Sequence, residues 1–156
     1  MKTRNVIWWL LFLPIAILLQ QMAPGLDVLV IGLIILLQER SYKDCIWALP
    51  LFILLQEGMG SREFGGAVLW YAAVILFFNL GRWLFEVENF LFVFLLSACL
   101  GAAYFGLAYL LAPLQELHVD VQATLDAGVI QALFIPVAWR LAVYSRRWVH
   151  AHDETA

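Results

Sequence analysis

"GLDVLVIGLIILLQERSYKDCIWALPLFILLQ", residues 25–56, decides the fold. It holds two apolar runs, 25–38 and 43–56, separated by the charged stretch "ERSYKD". Each run is short for a bilayer, because crossing a ~30 Å hydrocarbon core at ~1.5 Å per residue takes about 20 residues. Folded as one re-entrant hairpin, the pair would carry Arg40 and Lys43 at mid-membrane, where each cation costs ~2.5–3.5 kcal/mol. Read as two full spans, tilted or sitting in a thinned bilayer, they cost only about a fraction of a kcal/mol per Å of mismatch. Two spans are the cheaper solution.

The rest of the chain makes the same demand. Of its 156 residues 64% are hydrophobic and 13% charged, against about 45–50% and about 25% in ordinary globular domains. Mean hydropathy is +0.87. A soluble fold of this size has no room to hide so much Leu, Phe and Trp from water, so the chain is expected to be an all-α integral membrane protein. Further apolar runs at 5–22, 65–85, 89–112 and 121–144 bring the expectation to six transmembrane helices in one domain, 1–148, followed by a tail, 149–156. The N-terminus, "MKTRNVIWWLLFLPIAILLQQMAPG", has the basic start of a signal peptide but no good small-x-small cleavage site, and is read as a retained first span. Pro14, Pro50 and Pro136 fall inside spans and predict kinks.

Charge sets the expected orientation. With both termini cytoplasmic, the inner side holds Lys2, Arg4, Arg40, Lys43, Arg82, Arg140, Arg146 and Arg147, eight of the 9 basic residues. The outer loops then hold Arg62 with Asp27, Glu57, Glu63, Glu116, Asp120 and Asp126. This asymmetry follows the positive-inside rule and predicts N-in, C-in.

Little in the chain points to chemistry. His118 sits in an outer loop and His150 and His152 in the tail; Cys45 and Cys99 have neither metal-ligand nor disulfide-framework spacing. There is no HExxH, P-loop or GxSxG, and a net charge of −3 gives no footprint for nucleic acid. The expectation is a non-enzyme with no catalytic residue, metal or cofactor. Polar residues at membrane depth (Gln56, Asn79, Ser97, Gln131, with Glu57 and Asp126 near the ends) should face inward, Asn79 and Gln131 tying helices together. Ala98, Ala102 and Gly106, four apart beside Ser97 and Gly101, make a small-residue face for close helix packing, either within the bundle or against a partner helix.

The triplet LLQ closes the first three runs, at Gln20, Gln38 and Gln56. The first two copies read as span boundaries. The third opens "LLQEGMGSREFGG", where a charged, Gly-rich turn stands in place of a plain polar link. Glycines permit an irregular backbone there, and Ser61 can cap the next span. A solvated connection and a site both fit these residues. The candidate site is Gln56, Glu57, Gly60, Ser61, Arg62 and Gly65, shaping a cavity or docking edge.

Taken in order, these marks resemble MreD, the small membrane component of the bacterial rod-shape system. The resemblance runs through the first span ending in Gln20 and Gln21, the Leu/Ile-rich second span and "LLQEGMGSREFGG", which is similar to the family's Q-D-x-x-S-G-x-x-x-G turn. It continues in "NLGRWLFEVENFLF" and "IQALFIPVAWRLAVYSRRW", and covers roughly 10–148. Gln56 and Gly65 match; Glu57 stands for the usual Asp, Gly60 for Ser, Ser61 for Gly, Gln131 for Asn, and Leu26 for a proline. The resemblance implies a fold similar to the S-components of energy-coupling-factor transporters. It implies a scaffold in the bacterial inner membrane that binds an MreC-like single-span protein and positions RodA and a class B penicillin-binding transpeptidase, with the MreB filament indirectly and membrane lipids around it. The fold kinship supplies the alternative, a substrate-binding S-component for vitamin uptake.

Overall fold

The computed structural model describes residues 3–23, 25–58, 65–111 and 120–151. They form six helices: α1 (Thr3–Met22), α2 (Leu29–Gln38), α3 (Tyr42–Gly58), α4 (Gly66–Leu84), α5 (Phe90–Leu111) and α6 (Val121–Ala151). Each expected span has its helix. Gly60, Ser61 and Arg62 lie outside the described residues. Pro14, Pro50 and Pro136 are all accommodated within helices.

Two bounds differ from those expected: α6 runs on to Ala151, past the expected end at 144, and the second helix starts late. The second run begins at residue 25 in the sequence, but α2 begins at Leu29, and residues 25–28 form the turn leading into it. α2 is 10 residues long, about 15 Å by helical rise. Every residue from Leu29 to Leu36 is buried, so no face of α2 is left for lipid. A helix apolar all round belongs in the middle of a structure, and α2 is packed on by α3, α4 and α6. The other helices carry their apolar residues outward as well: Leu10, Leu54, Leu76, Leu133 and Leu141 are all exposed. Contiguous apolar surface on this scale suits hydrocarbon rather than water. α4, α5 and α6 are long and apolar enough to cross a membrane.

α5 and α6 share the most extensive interface, and two glycines explain how closely they approach. A Cβ on Gly101 would sit 2.7 Å from the Gly128 carbonyl oxygen and 3.0 Å from the Ala132 Cβ; one on Gly128 would sit 2.9 Å from the Gly101 oxygen. The obstacle is backbone in both directions. Small residues permit such contact in a bilayer, where packing rather than water drives association. The seam therefore runs along Ser97 and Gly101, one step round the helix from the face of Ala98, Ala102 and Gly106. Ala98 and Ala102 are exposed, and Gly106 faces open space. Asn79, expected inside, is exposed too, whereas Gln131 faces inward as expected and Pro136 is buried further along α6. Replacing Gly101 by leucine should lower stability by ~1–3 kcal/mol or more through overpacking. Thermal unfolding in detergent should show this loss for Gly101→Leu and almost none for Gly106→Leu, where a Cβ meets nothing within 4 Å.

Candidate functional site

The turn before α2 carries Asp27, an acid that the charge pattern assigns to an outer loop. The structure buries it, at 2% exposure, and surrounds it with donors. Trp70 Nε1 donates to Oδ2 at 2.7 Å. Gln20 Nε2 donates to Oδ1 at 3.1 Å, the Val30 amide at 3.3 Å and the Tyr71 hydroxyl at 3.4 Å. A carboxylate is an acceptor on both oxygens, so this set of partners suits it. The main chain of Asp27 is provided for as well. Its N–H donates to Gln131 Oε1 at 2.7 Å, and its carbonyl accepts from Gln131 Nε2 at 3.0 Å. One amide side chain thus satisfies both backbone groups of a residue that lies outside any helix.

The arrangement follows from where each helix puts its polar residues. Gln20 is near the end of α1, Trp70 and Tyr71 are in the second turn of α4, and Gln131 is near the middle of α6. Asp27 stands at the N-terminal end of α2, where unpaired amides and the helix dipole favour an anion. Around this centre, Trp70 meets Tyr104 of α5 edge-on at 5.8 Å, and Tyr71 meets Phe52 of α3 at 6.2 Å. All six helices converge here. Burying an unpaired carboxylate would be prohibitive, and four donors with a helix N-terminus offset much of that cost. Chemically the cluster is a buried carboxyl group in a cage of neutral donors.

A second polar layer closes the opposite end of α2. Gln38 Oε1 accepts from Trp139 Nε1 at 2.8 Å, and its Nε2 donates to the Val87 carbonyl. Glu39 pairs through both oxygens with Arg146, whose Nη2 donates to Oε2 at 2.6 Å. The Arg146 guanidinium lies 4.8 Å from the Trp8 ring centre and 5.7 Å from that of Trp9, while Trp8 Nε1 donates to Ser145 Oγ at 3.1 Å. α1, α2, the α4–α5 connection and α6 meet in this layer.

The LLQ glutamines close their helices, and the first two do more than the boundary role expected of them. Gln20 belongs to the Asp27 cage, Gln38 to the second layer, and Gln56 is buried at 1% exposure. None is merely an interfacial boundary. At the third copy, the Gly65 amide donates to Glu57 Oε1 at 2.9 Å, closing the turn from α3 to α4. Gly65 caps α4 with φ +81°, a left-handed conformation in which other residues are strained. Glu57 and Gly65 are thus brought together by the fold, while Gln56 is buried beside them in the chain.

Asp27 was the residue that sequence reasoning missed. Its signal was its setting: a lone acid just after a glycine and at the head of a continuous apolar run, in a chain whose other apolar segments carry glutamines and a Trp-Tyr pair. Among the described residues, no three His, Cys, Asp or Glu side chains group as a metal site. Comparison with known proteins finds no significant match to a protein family, to a characterised protein or to a solved structure.

Proposed function

We propose that this protein is a non-enzymatic scaffold of the bacterial wall-elongation machinery, spanning the inner membrane six times with both termini in the cytoplasm. In this reading it binds an MreC-like single-span protein and positions RodA and a class B transpeptidase. The observation that carries it is the turn from α3 to α4. Gln56 and Gly65, the residues matching the MreD turn, are respectively buried and held in a left-handed conformation, and Glu57, in the place of the usual Asp, bonds to Gly65. The residues that carry the resemblance are those on which the local fold depends. Gln131, at another family-marked position, clamps the Asp27 backbone.

The orientation rests on the distribution of basic residues: α2 and α3 meet at Arg40 and Lys43, α4 ends at Arg82, and α6 carries Arg140, Arg146 and Arg147 toward its end. The vitamin-binding alternative needs polar and aromatic groups offered to a ligand. Trp70, Tyr71, Gln20 and Gln131 are instead engaged with Asp27, which favours the scaffold.

Native mass spectrometry of the protein extracted from its host membrane tests the proposal. A co-purifying single-span protein with a coiled coil and periplasmic domain is expected, and Glu57→Ala with Gly65→Leu should release it and round the cells. A retained vitamin-sized ligand, or a coupling subunit with ATPases, would make the protein a transporter component instead. Unchanged complex and cell shape in the double variant would remove the turn from the interface.

A further inference from the structure

At the end of the bundle that holds Gln38, an open groove of about 540 Å³ lies between the α2–α3 turn and the α4–α5 connection. Its walls include Arg40, Arg82, Glu86 and Glu88, with Trp83 and Gln38. The volume is within the ~300–1,000 Å³ common for small-molecule sites.

The two arginines are the reason to read this groove as a site. Arg40 follows α2 in a Schellman turn, in which the Ser41 amide donates to the Leu36 carbonyl at 3.2 Å and the Arg40 amide to that of Leu37 at 3.3 Å. That position takes a left-handed residue, and Arg40 has φ 53°. Glycine is the residue that adopts it without strain, yet an arginine stands there, with its side chain lining the groove. Among the described residues neither Arg40 nor Arg82 makes an ion pair; the pairs formed are Arg146 with Glu39 and Arg147 with Glu88. Two guanidinium groups are thus left to an outside partner, although Glu86 and Glu88 line the same space.

The groove's mixed charge selects that partner. Arginine forks match phosphate oxygens, and carboxylates match a primary ammonium. Beside the groove, Leu80, Trp83 and Leu84 are 58%, 89% and 70% exposed, an apolar track leading from the polar walls onto the outer face of α4. Trp at this level is typical of a membrane interface.

We infer that the groove binds the headgroup of a phospholipid that carries both a phosphate and a primary amine. The phosphate meets Arg40 and Arg82, the ammonium meets Glu86, and an acyl chain runs along Trp83 and Leu84. This inference rests on the bundle being embedded in a bilayer and not on the wall-elongation role, which can fail without affecting it.

The test is native mass spectrometry of the full chain with phosphatidylethanolamine, phosphatidylcholine or phosphatidylglycerol added in turn, alongside thermal unfolding. Phosphatidylethanolamine should be retained best, since the choline ammonium has no N–H to donate and the glycerol headgroup has no cation. Arg40→Gly and Arg82→Gln should each weaken its retention about tenfold, the scale of one charge-assisted hydrogen bond. Glu86→Gln should erase the preference over phosphatidylcholine. Arg40→Gly relieves the backbone strain, so its melting temperature should equal or exceed the parent's, which separates lost binding from lost fold. Equal retention of the three lipids, a preference for phosphatidylglycerol, retention unchanged by both arginine variants, or a lower melting temperature for Arg40→Gly would each overturn the inference.

Discussion

Replacing Asp27 by alanine should cost on the order of 3–6 kcal/mol of stability, the largest loss expected from any single polar substitution in this chain. The substitution takes the Asp27 acceptor away from the Trp70 indole N–H, the Gln20 amide and the Tyr71 hydroxyl at the junction of all six helices. Each such loss costs ~1–3 kcal/mol, and the total stays below a simple sum because the Tyr71 hydroxyl can rotate and its bond is the longest. The Val30 amide loses its acceptor as well, weakening the first turn of α2. Unfolding in mild detergent, followed by tryptophan fluorescence, measures the loss.

Asparagine at position 27 separates shape from charge. Its carbonyl oxygen can keep the Gln20 and Val30 donors, but its amide then points an N–H at Trp70 Nε1 across the 2.7 Å that Oδ2 now spans. Two donors at that distance repel. Trp70→Phe alone removes a good hydrogen bond and should destabilise; added to Asp27→Asn it removes the clash. The double variant should therefore be more stable than the sum of the single losses predicts, by ~1–2 kcal/mol of coupling. Strict additivity would mean that Asp27 and Trp70 are neighbours without an energetic link.

The helices were legible in the sequence and the cage was not, for one physical reason. Apolar run length fixes a helix in a membrane, because every backbone group must be paired within the segment. The runs at 65–85 and 89–112 accordingly match α4, Gly66–Leu84, and α5, Phe90–Leu111, to within one residue at each end. Which residues meet across helices depends on rotation about each axis, and run length carries no such information. Asp27 and Asn79 show this in opposite directions: the acid assigned to a loop is buried, and the amide assigned to the interior is exposed. Of the two readings of the small-residue face, packing within the bundle is not the one that Ala98, Ala102 and Gly106 serve. Ala98, Ala102 and Gly106 have the spacing of a packing face, but α6 took the neighbouring Ser97–Gly101 face because Gly128 lies opposite Gly101. At Gln56, Glu57 and Gly65 the break between two helices was legible because glycine and charge mark it locally, whereas the bond from the Gly65 amide to Glu57 was not.

Removing either partner of the Glu39–Arg146 pair should destabilise the opposite end of the bundle, and by unequal amounts. Arg146 is 5% exposed and Glu39 37%. Glu39→Ala leaves a buried guanidinium without its counter-charge, whereas Arg146→Met leaves a carboxylate that water already reaches. Breaking a fully buried pair costs ~3–5 kcal/mol, and the exposure of Glu39 moves the expected loss for Glu39→Ala to the lower end, about 3 kcal/mol. Arg146→Met should cost about 1–2 kcal/mol, because the methionine stem keeps the packing against Trp8 and Trp9 while the cation–π contact is lost. Arg146→Lys should fall between the two in stability, since an ammonium keeps the charge but neither the two-point bond nor the planar stack. The losses should appear first at α1, whose N-terminal half is tied to α6 by this stack and by the Trp8–Ser145 bond. Limited proteolysis should therefore cut near the N-terminus of Glu39→Ala before the remaining helices open, and the asymmetry should shrink at high salt, where the exposed carboxylate is screened. Equal losses for Glu39→Ala and Arg146→Met would show that the pair contributes through its geometry alone. A larger loss for Arg146→Met would place the value of the contact in the tryptophan stack, making the guanidinium a packing element whose counter-charge only completes it.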